Sequence, residues 1–173
     1  MTKNTLNLAD FHENPVKKAR FLRNLGISVI PLLGDFRPDM AKVSALKVWK
    51  PYQKHLPDPE HLVIWFNDYD AMGIVLGHVS KLVVLDIDNP RRAQEFQQVC
   101  PDLTDTFTVR SGNRQLPHYY FALPDDMDVP SCNADGVELR SDGQYIVAPG
   151  TVIGGRTWTV TCNAPPRELT QAD

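Results

Sequence analysis

Two carboxylates stand one residue apart at the end of the apolar run 82–85, in the middle of the chain. Side chains alternate between the two faces of a strand, so Asp86 and Asp88 are predicted to point the same way. Burying like charges together is costly unless a cation compensates them. Carboxylate oxygens suit Mg²⁺ or Mn²⁺, which commonly go on to bind substrate phosphates. The alternative is a strand that ends at a solvated turn, because Asn89-Pro90 is a turn signal.

A third acid lies in a second strand-like stretch, 136–140. There Val137 and Leu139 alternate with Glu138 and Arg140, so the acid and the base share one face. Glu138 could complete a three-acid metal site with the first pair, and Arg140 could clamp a phosphate beside it. The plainer interpretation is a solvated strand that carries one ion pair.

A histidine begins a further apolar strand directly after a polar loop. A single histidine such as His118 is usually a satisfied structural residue, but beside two acids it is also a candidate to contact phosphate. Ser111 and Gly112 in the loop offer a hydroxyl and backbone N–H groups to an anion. We also predict that Arg110, which precedes them, binds nucleotide.

The hydrophobic pattern predicts the elements that must position these groups. A proline stands at or near the first turn of each predicted helix, where its missing N–H is tolerated. The order is helix, strand, helix and then mostly strands, which indicates an α+β domain. We predict helices at 15–25, 59–66 and 90–99, and strands at 27–33, 72–76, 82–88, 106–110, 118–122, 136–140, 144–149 and 157–161, with a loop at 125–135.

The length of 173 residues indicates one domain with a sizeable core. We predict a flexible leader at 1–14, a catalytic domain at 15–163 and a C-terminal tail at 164–173. No stretch resembles a signal peptide or a membrane-spanning helix. The three cysteines have neither a zinc-site nor a disulfide spacing, so a reducing, cytoplasmic setting is expected.

The charge is distributed unevenly along the chain. Residues 14–54 hold nine basic and two acidic side chains, or +7, whereas the rest holds nine basic and 19 acidic ones, or −10. This asymmetry predicts one basic surface for nucleic acid, although an ordinary solvated helix face is the alternative. The candidates for this surface are Lys17, Arg20, Arg23 and Lys50.

Taken together, these blocks resemble the bifunctional DNA primase/polymerase domain, a branch of the archaeo-eukaryotic primase superfamily found in plasmid, phage and mobile-element replication proteins. The resemblance covers roughly 22–160. It rests on Asp86-x-Asp88, on the loop that leads to 118–121, and above all on 136–151, with its order of glycine, turn, tyrosine strand and proline.

The resemblance implies a primase-polymerase (RRM-like) catalytic core with a mixed or antiparallel sheet flanked by helices. Asp86, Asp88 and Glu138 would hold two divalent ions, Mg²⁺ or Mn²⁺. His118 would contact the triphosphate, and Arg140 would help to neutralise the phosphates. The implied activity is DNA primase and DNA polymerase activity, that is, template-directed nucleotidyl transfer by two-metal catalysis.

The implied partners are a single-stranded DNA template, a primer, and NTPs or dNTPs, with no membrane. The chain shows no helicase motif and no zinc-site spacing, so we expect either a domain of a larger replication protein or a small stand-alone member, with a helicase as a further partner. The expected setting is the cytoplasm of a bacterium or archaeon, or a plasmid or phage context.

The sequence departs from the family pattern at two places, and two other functions stay open. Glu138 stands where aspartate is usual. Leu116 and Pro117 precede the histidine, where relatives carry a glycine pair and a small hydroxyl residue. The altered loop favours a non-catalytic nucleotide- or nucleic-acid-binding module of a replication initiator. The run 83–88 also resembles the nucleophile strand of haloacid-dehalogenase-like phosphatases, but a Gly-Thr-type turn does not follow it.

Overall fold

The structure is a computed structural model that describes residues 14–173. The predicted leader therefore lies outside the described residues, except for Asn14. The side-chain oxygen of Asn14 accepts a hydrogen bond from the backbone N–H of Lys17 at 2.9 Å, which caps the first helix.

Three α-helices occur in this range: α1 (Pro15–Asn24), α2 (Pro59–Asp68) and α3 (Pro90–Val99). Proline stands in the first turn of each, as predicted. Asn89 caps α3 through its side-chain oxygen. Gly26, which follows the end of α1, has a φ of +82°, a conformation that glycine adopts without steric cost.

Twelve strands follow the predicted pattern closely in the middle of the chain and less closely after residue 125. They are β1 (Val29–Pro31), β2 (Met72–Val75), β3 (Leu82–Ile87), β4 (Thr108–Arg110), β5 (Pro117–Ala122), β6 (Cys132–Ala134), β7 (Val137–Arg140), β8 (Tyr145–Val147), β9 (Val152–Ile153), β10 (Arg156–Thr157), β11 (Thr159–Cys162) and β12 (Arg167–Glu168).

The strands form a large sheet, a small sheet and one isolated hairpin. The large sheet has the order β11-β4-β5-β3-β7-β6, with antiparallel neighbours, and β12 pairs in parallel with β5. The small sheet has the antiparallel order β1-β2-β8, and β9 pairs with β10. The predicted α+β class with a mixed sheet is therefore confirmed.

The main core lies between the two sheets. Side chains from β3, β4 and β5 share one buried cluster with side chains from the small sheet, α1 and α2. A second cluster covers the other face of β3 and β5, where Ala93 of α3 meets Ile87 and Phe121. Strand β3 is thus covered on both faces, as its apolar run predicts. The main cluster includes Leu22, Ile30, Leu62, Ile74, Val84, Val109, Tyr120 and Ile146.

Two turns that connect the small and the large sheet are tied to each other. His78, between β2 and β3, donates its backbone N–H to Asp142 Oδ1 at 3.0 Å, and its Nδ1 lies 2.6 Å from Asp142 Oδ2. Asp142 lies between β7 and β8. The hydrogen bond that Asp142 accepts from the His78 ring is the main reason that the pKa of His78 is raised.

The sequence pattern missed three short pieces of structure. Strand β6 lies inside the predicted loop 125–135, the hairpin β9–β10 precedes the predicted strand 157–161, and β12 lies within the predicted tail 164–173. The residues of β6 are all exposed, so no burial pattern marks them, and they are ordered by pairing with β7. Within the described range, no helix has the length and apolar character needed to cross a membrane.

Candidate active site

Strand register brings three predicted site residues into one row. Asp86 on β3 pairs with His118 on β5 at one side and with Glu138 on β7 at the other. Residues that pair directly across adjacent strands present their side chains on the same face of a sheet. Arg140 follows two residues after Glu138 and shares that face. The sequence predicted these side chains but not their mutual register.

Arg140 forms a bridge between two acids of this row. Its Nε donates to Asp86 Oδ2 at 3.1 Å, and its Nη2 lies 2.6 Å from Glu138 Oε2. The Arg140 side chain is 24% exposed, and Asp86 is 9% exposed, so this contact is shielded from water. Charge-assisted contacts in such a setting are stronger than those at the surface.

The buried carboxylate keeps one oxygen without a hydrogen bond. Asp86 Oδ1 lies 3.2 Å from His118 Nε2, but the contact lacks the alignment of a hydrogen bond. Oδ1 and His118 Nδ1 have no hydrogen-bond partner among the described residues. Burial raises the pKa of Asp86, but the contacts with His118 and Arg140 outweigh it and hold the pKa below its usual value.

Asp88, the second acid of the pair, lies just beyond β3 and is half-exposed. Its backbone N–H donates to Gly136 O at 2.8 Å, which extends the pairing of β3 with the start of β7. Arg114 Nη1 donates to the backbone oxygen of Asp88 at 2.8 Å and lies 3.6 Å from its Oδ2. A second guanidinium therefore neutralises this acid from the loop between β4 and β5.

A cavity of about 450 Å³ opens in front of this row, between the large and the small sheet. Ligand sites for small molecules commonly have volumes of about 300–1,000 Å³, so a nucleotide is of suitable size. Glu138, which is turned towards Arg140, is not among the lining residues. The lining includes Asp86, Asp88 and His118, the cations Lys42, Arg114 and Arg140, and the aromatic residues Trp49, Tyr145 and Trp158.

The aromatic wall of the cavity is held by contacts far apart in the chain. Trp49 packs edge-on against Tyr145, with ring centroids 5.0 Å apart. The Tyr145 hydroxyl donates to Lys42 O at 3.1 Å and accepts from Ser44 N–H at 3.2 Å. Lys42 Nζ in turn lies 5.5 Å from the centre of the Trp158 ring. Sequence reasoning missed Lys42, Trp49, Tyr145 and Trp158 as site residues, since contacts between distant parts of the chain bring them to the cavity.

The oxygen ligands partly fit a divalent ion. The free, buried Oδ1 of Asp86 and the half-exposed carboxylate of Asp88 are donors of the type that Mg²⁺ and Mn²⁺ prefer. Glu138 would join them only after its contact with Arg140 is exchanged. Within residues 14–173, accordingly, no three His, Cys, Asp or Glu side chains are already grouped to hold a metal ion.

The loop before the histidine uses some of its polar groups internally. Ser111 N–H donates to Leu116 O at 2.9 Å, and Leu116 N–H donates to Ser111 Oγ at 3.4 Å. Ser111 lines the cavity, but its N–H is already engaged.

Arg110 is exposed and precedes Ser111 on β4. Because Val109 is the residue that pairs with His118, alternation places Arg110 on the opposite face from the cavity.

The predicted nucleic-acid residues lie outside the cavity lining. Lys17 and Arg20 are exposed on α1, and Lys50 is exposed after Trp49. Arg23 is half-buried and donates from Nε to Pro57 O at 2.6 Å, so it has a structural contact. A role of these four side chains in binding nucleic acid stays a prediction.

Comparison with known protein families gives one match over most of the chain. The matching family model, bifunctional DNA primase/polymerase, N-terminal, spans residues 18–172. The matched range includes the whole row on β3, β5 and β7 and both walls of the cavity. A search of curated proteins found no match.

Proposed function

The chain belongs to the bifunctional DNA primase/polymerase family, and we propose that it transfers nucleotides to a growing strand under the direction of a DNA template. The observation that carries this proposal is the row of His118, Asp86 and Glu138, in register on three adjacent strands and placed beside a cavity of nucleotide size. Together with Asp88, directly after β3, the row supplies three acids and the imidazole of His118.

The residues around the cavity suit a nucleoside triphosphate. Three cations, Lys42, Arg114 and Arg140, line it and would face the phosphates. His118 would donate a hydrogen bond to a phosphate oxygen from its place beside Asp86. The exposed part of the aromatic wall offers flat apolar surface next to these charges.

Asp86 and Asp88, joined by Glu138, would hold two divalent ions, Mg²⁺ or Mn²⁺. When bound, such ions stabilise charge on the phosphate and lower the pKa of the attacking hydroxyl. The hydroxyl oxygen of the primer, or of the first nucleotide in priming, forms a bond to the α-phosphorus. The bond from that phosphorus to the bridging oxygen breaks, pyrophosphate leaves, and the hydroxyl proton passes to solvent.

The proposal also covers the DNA template and the replication context. A single-stranded template would be bound through its backbone by the basic region 14–54, in a salt-sensitive way that is independent of base sequence. We further propose a cytoplasmic, plasmid-, phage- or mobile-element-type replication context in which a helicase acts alongside this domain.

A non-catalytic binding module is the second candidate. Two observations favour it: Arg140 lies between Asp86 and Glu138, and the N–H of Ser111 is already used within its loop. The retention of three acids beside a cavity of nucleotide size favours catalysis instead, because carboxylate oxygens are the ligands that Mg²⁺ and Mn²⁺ prefer. The family match leaves the phosphatase alternative without support.

Nucleotide incorporation by the purified chain tests the proposal. The assay uses primed and unprimed single-stranded DNA with Mg²⁺ or Mn²⁺, and the unprimed template separates priming from extension. The double variant Asp86→Ala/Asp88→Ala should lose incorporation. A matched control is Asp68→Ala/Asp70→Ala, which removes two exposed acids of the same spacing outside the cavity. Template binding without incorporation in either metal would support the binding module.

A further inference from the structure

The guanidinium of Arg140 occupies the space between the two acids that face each other on β3 and β7. Asp86 and Glu138 pair directly across the strands, and Arg140 contacts Oδ2 of one and Oε2 of the other. A divalent ion shared by these acids would have to compete with the guanidinium for their negative charge and for the space between them. We propose that Arg140 is a competing counter-ion that a divalent ion must displace in order to be shared by Asp86 and Glu138.

The charges of the site support this inference, which rests on the proposed function for the identity of the ion. Three acids lie near the cavity, and each contacts one of two guanidinium groups: Asp86 and Glu138 contact Arg140, and Asp88 contacts Arg114. Guanidinium groups therefore take the place that a metal ion would take. This arrangement keeps the buried carboxylate of Asp86 compensated when no ion is bound.

The contacts also indicate an order of events. Asp86 Oδ1 lies beside His118 Nε2, makes no hydrogen bond and is not engaged by Arg140, so an ion could reach this oxygen before Arg140 is displaced from Oδ2. Recruitment of Glu138 requires Arg140 to move. The released guanidinium lines the cavity, where it remains close to any phosphate that enters. Removal of Arg140 should thus strengthen metal binding even as it removes a phosphate contact.

Direct titration with Mn²⁺ alone, followed by electron paramagnetic resonance of the free ion, tests this inference. Arg140→Met should bind Mn²⁺ at least about tenfold more tightly than the wild type, the scale expected when a charge-assisted contact no longer has to be broken. The control Arg91→Met removes a surface guanidinium that pairs with Glu95 on α3 and should leave Mn²⁺ affinity unchanged. Asp86→Asn/Arg140→Met should lose the gain.

A second variant guards against loss of folding. Arg140→Lys keeps the charge but is a point charge without the planar fork that contacts both acids, so it should give a smaller gain of a few-fold. Equal or weaker Mn²⁺ binding in both folded variants overturns the inference. Incorporation by the wild type is measured in parallel: its absence, with tighter Mn²⁺ binding by Arg140→Met, would count against the proposed function alone.

Discussion

Asp86 carries its charge where burial opposes it. The carboxylate is held in the ionised form by His118 and Arg140, which come from the two strands on either side of β3. A carboxylate held in this way is ready to bind a cation without first losing a proton. The residue types and the shared face of Asp86 and Asp88 were predictable, because strand alternation is a local property.

The position of Arg140 between two acids was not predictable from the sequence. Alternation places Glu138 and Arg140 on one face, as predicted. Which residue of β3 lies opposite Glu138 depends on strand register, which is set by the whole sheet. The sequence therefore predicts a three-acid metal site, whereas the structure adds the guanidinium that must leave it.

The pKa of Asp86 predicts how stability depends on pH. Because the folded-state pKa is below the unfolded value of about 3.9, the contribution of this carboxylate is present above that pH and is lost as the pH falls through the folded-state pKa. The difference in unfolding free energy between wild type and Asp86→Asn should therefore shrink as the pH falls below about 4. Urea unfolding at each pH measures it, and a difference that stays constant would contradict the expectation.

Among the elements, those with strong local signals agree best with the sequence. Helices begin at Pro15, Pro59 and Pro90, and strand β3 follows the longest apolar run. The segment between β1 and α2 carries no such signal. Its residues Lys42 and Trp49 reach the cavity through long-range contacts with the end of β1, with β8 and with Trp158, which no local pattern reveals.

The loop between β4 and β5 depends on a glycine beside a buried ring. A Cβ at Gly112 would lie 2.7 Å and 2.8 Å from ring atoms of Trp158, which is 1% exposed. Gly112→Ala should destabilise the protein by about 1–3 kcal/mol, as overpacking of a core does. Asn113→Ala, at the exposed neighbouring position, should change stability by less than about 0.5 kcal/mol. Equal stability of the two variants in urea would show that the loop adapts.

At the scale of the whole molecule, α1 is joined to the cavity wall by a buried amine. Lys18 Nζ donates to Pro149 O, which follows β8 and lies 131 residues away. Burial lowers the pKa of Lys18 to about 8. The helix was predicted from its apolar stripe, but a lysine on its buried face is outside what such a stripe indicates.

The Lys18 amine gives the free energy of unfolding a second pH dependence. Here burial disfavours the charged form, whereas at Asp86 the contacts with His118 and Arg140 preserve it. Between about pH 8 and the unfolded value of about 10.4, the unfolded chain keeps the Lys18 proton and the folded chain does not, so stability rises with pH. Relative to Lys18→Met, the wild type should gain roughly 2–3 kcal/mol between pH 7 and pH 10, since each pKa unit is worth about 1.4 kcal/mol. Denaturant unfolding at pH 7 and pH 10 measures the change, and a constant difference would contradict it.

The uneven charge of the chain predicts how it binds DNA. Lys17→Gln/Arg20→Gln removes two exposed charges from α1. If both contact single-stranded DNA, the slope of log affinity against log salt should fall in magnitude by about 0.7 for each contact. Fluorescence anisotropy with a labelled oligonucleotide measures it. The control Lys81→Gln/Arg91→Gln removes two exposed charges outside the basic region, and an equal effect there would contradict a specific surface.

Strand β8 is anchored at both ends. Asp142, which precedes the strand, is hydrogen-bonded to His78, and Pro149, which follows the strand, is hydrogen-bonded to Lys18. This strand forms one wall of the cavity, so we expect the wall to be rigid. A ligand then has to fit the existing width of the cavity, because the two sheets do not close around it. We expect the backbone amides of β8 to exchange with deuterium at the same slow rate with and without a bound nucleotide. Faster exchange without nucleotide would show that this wall of the cavity opens.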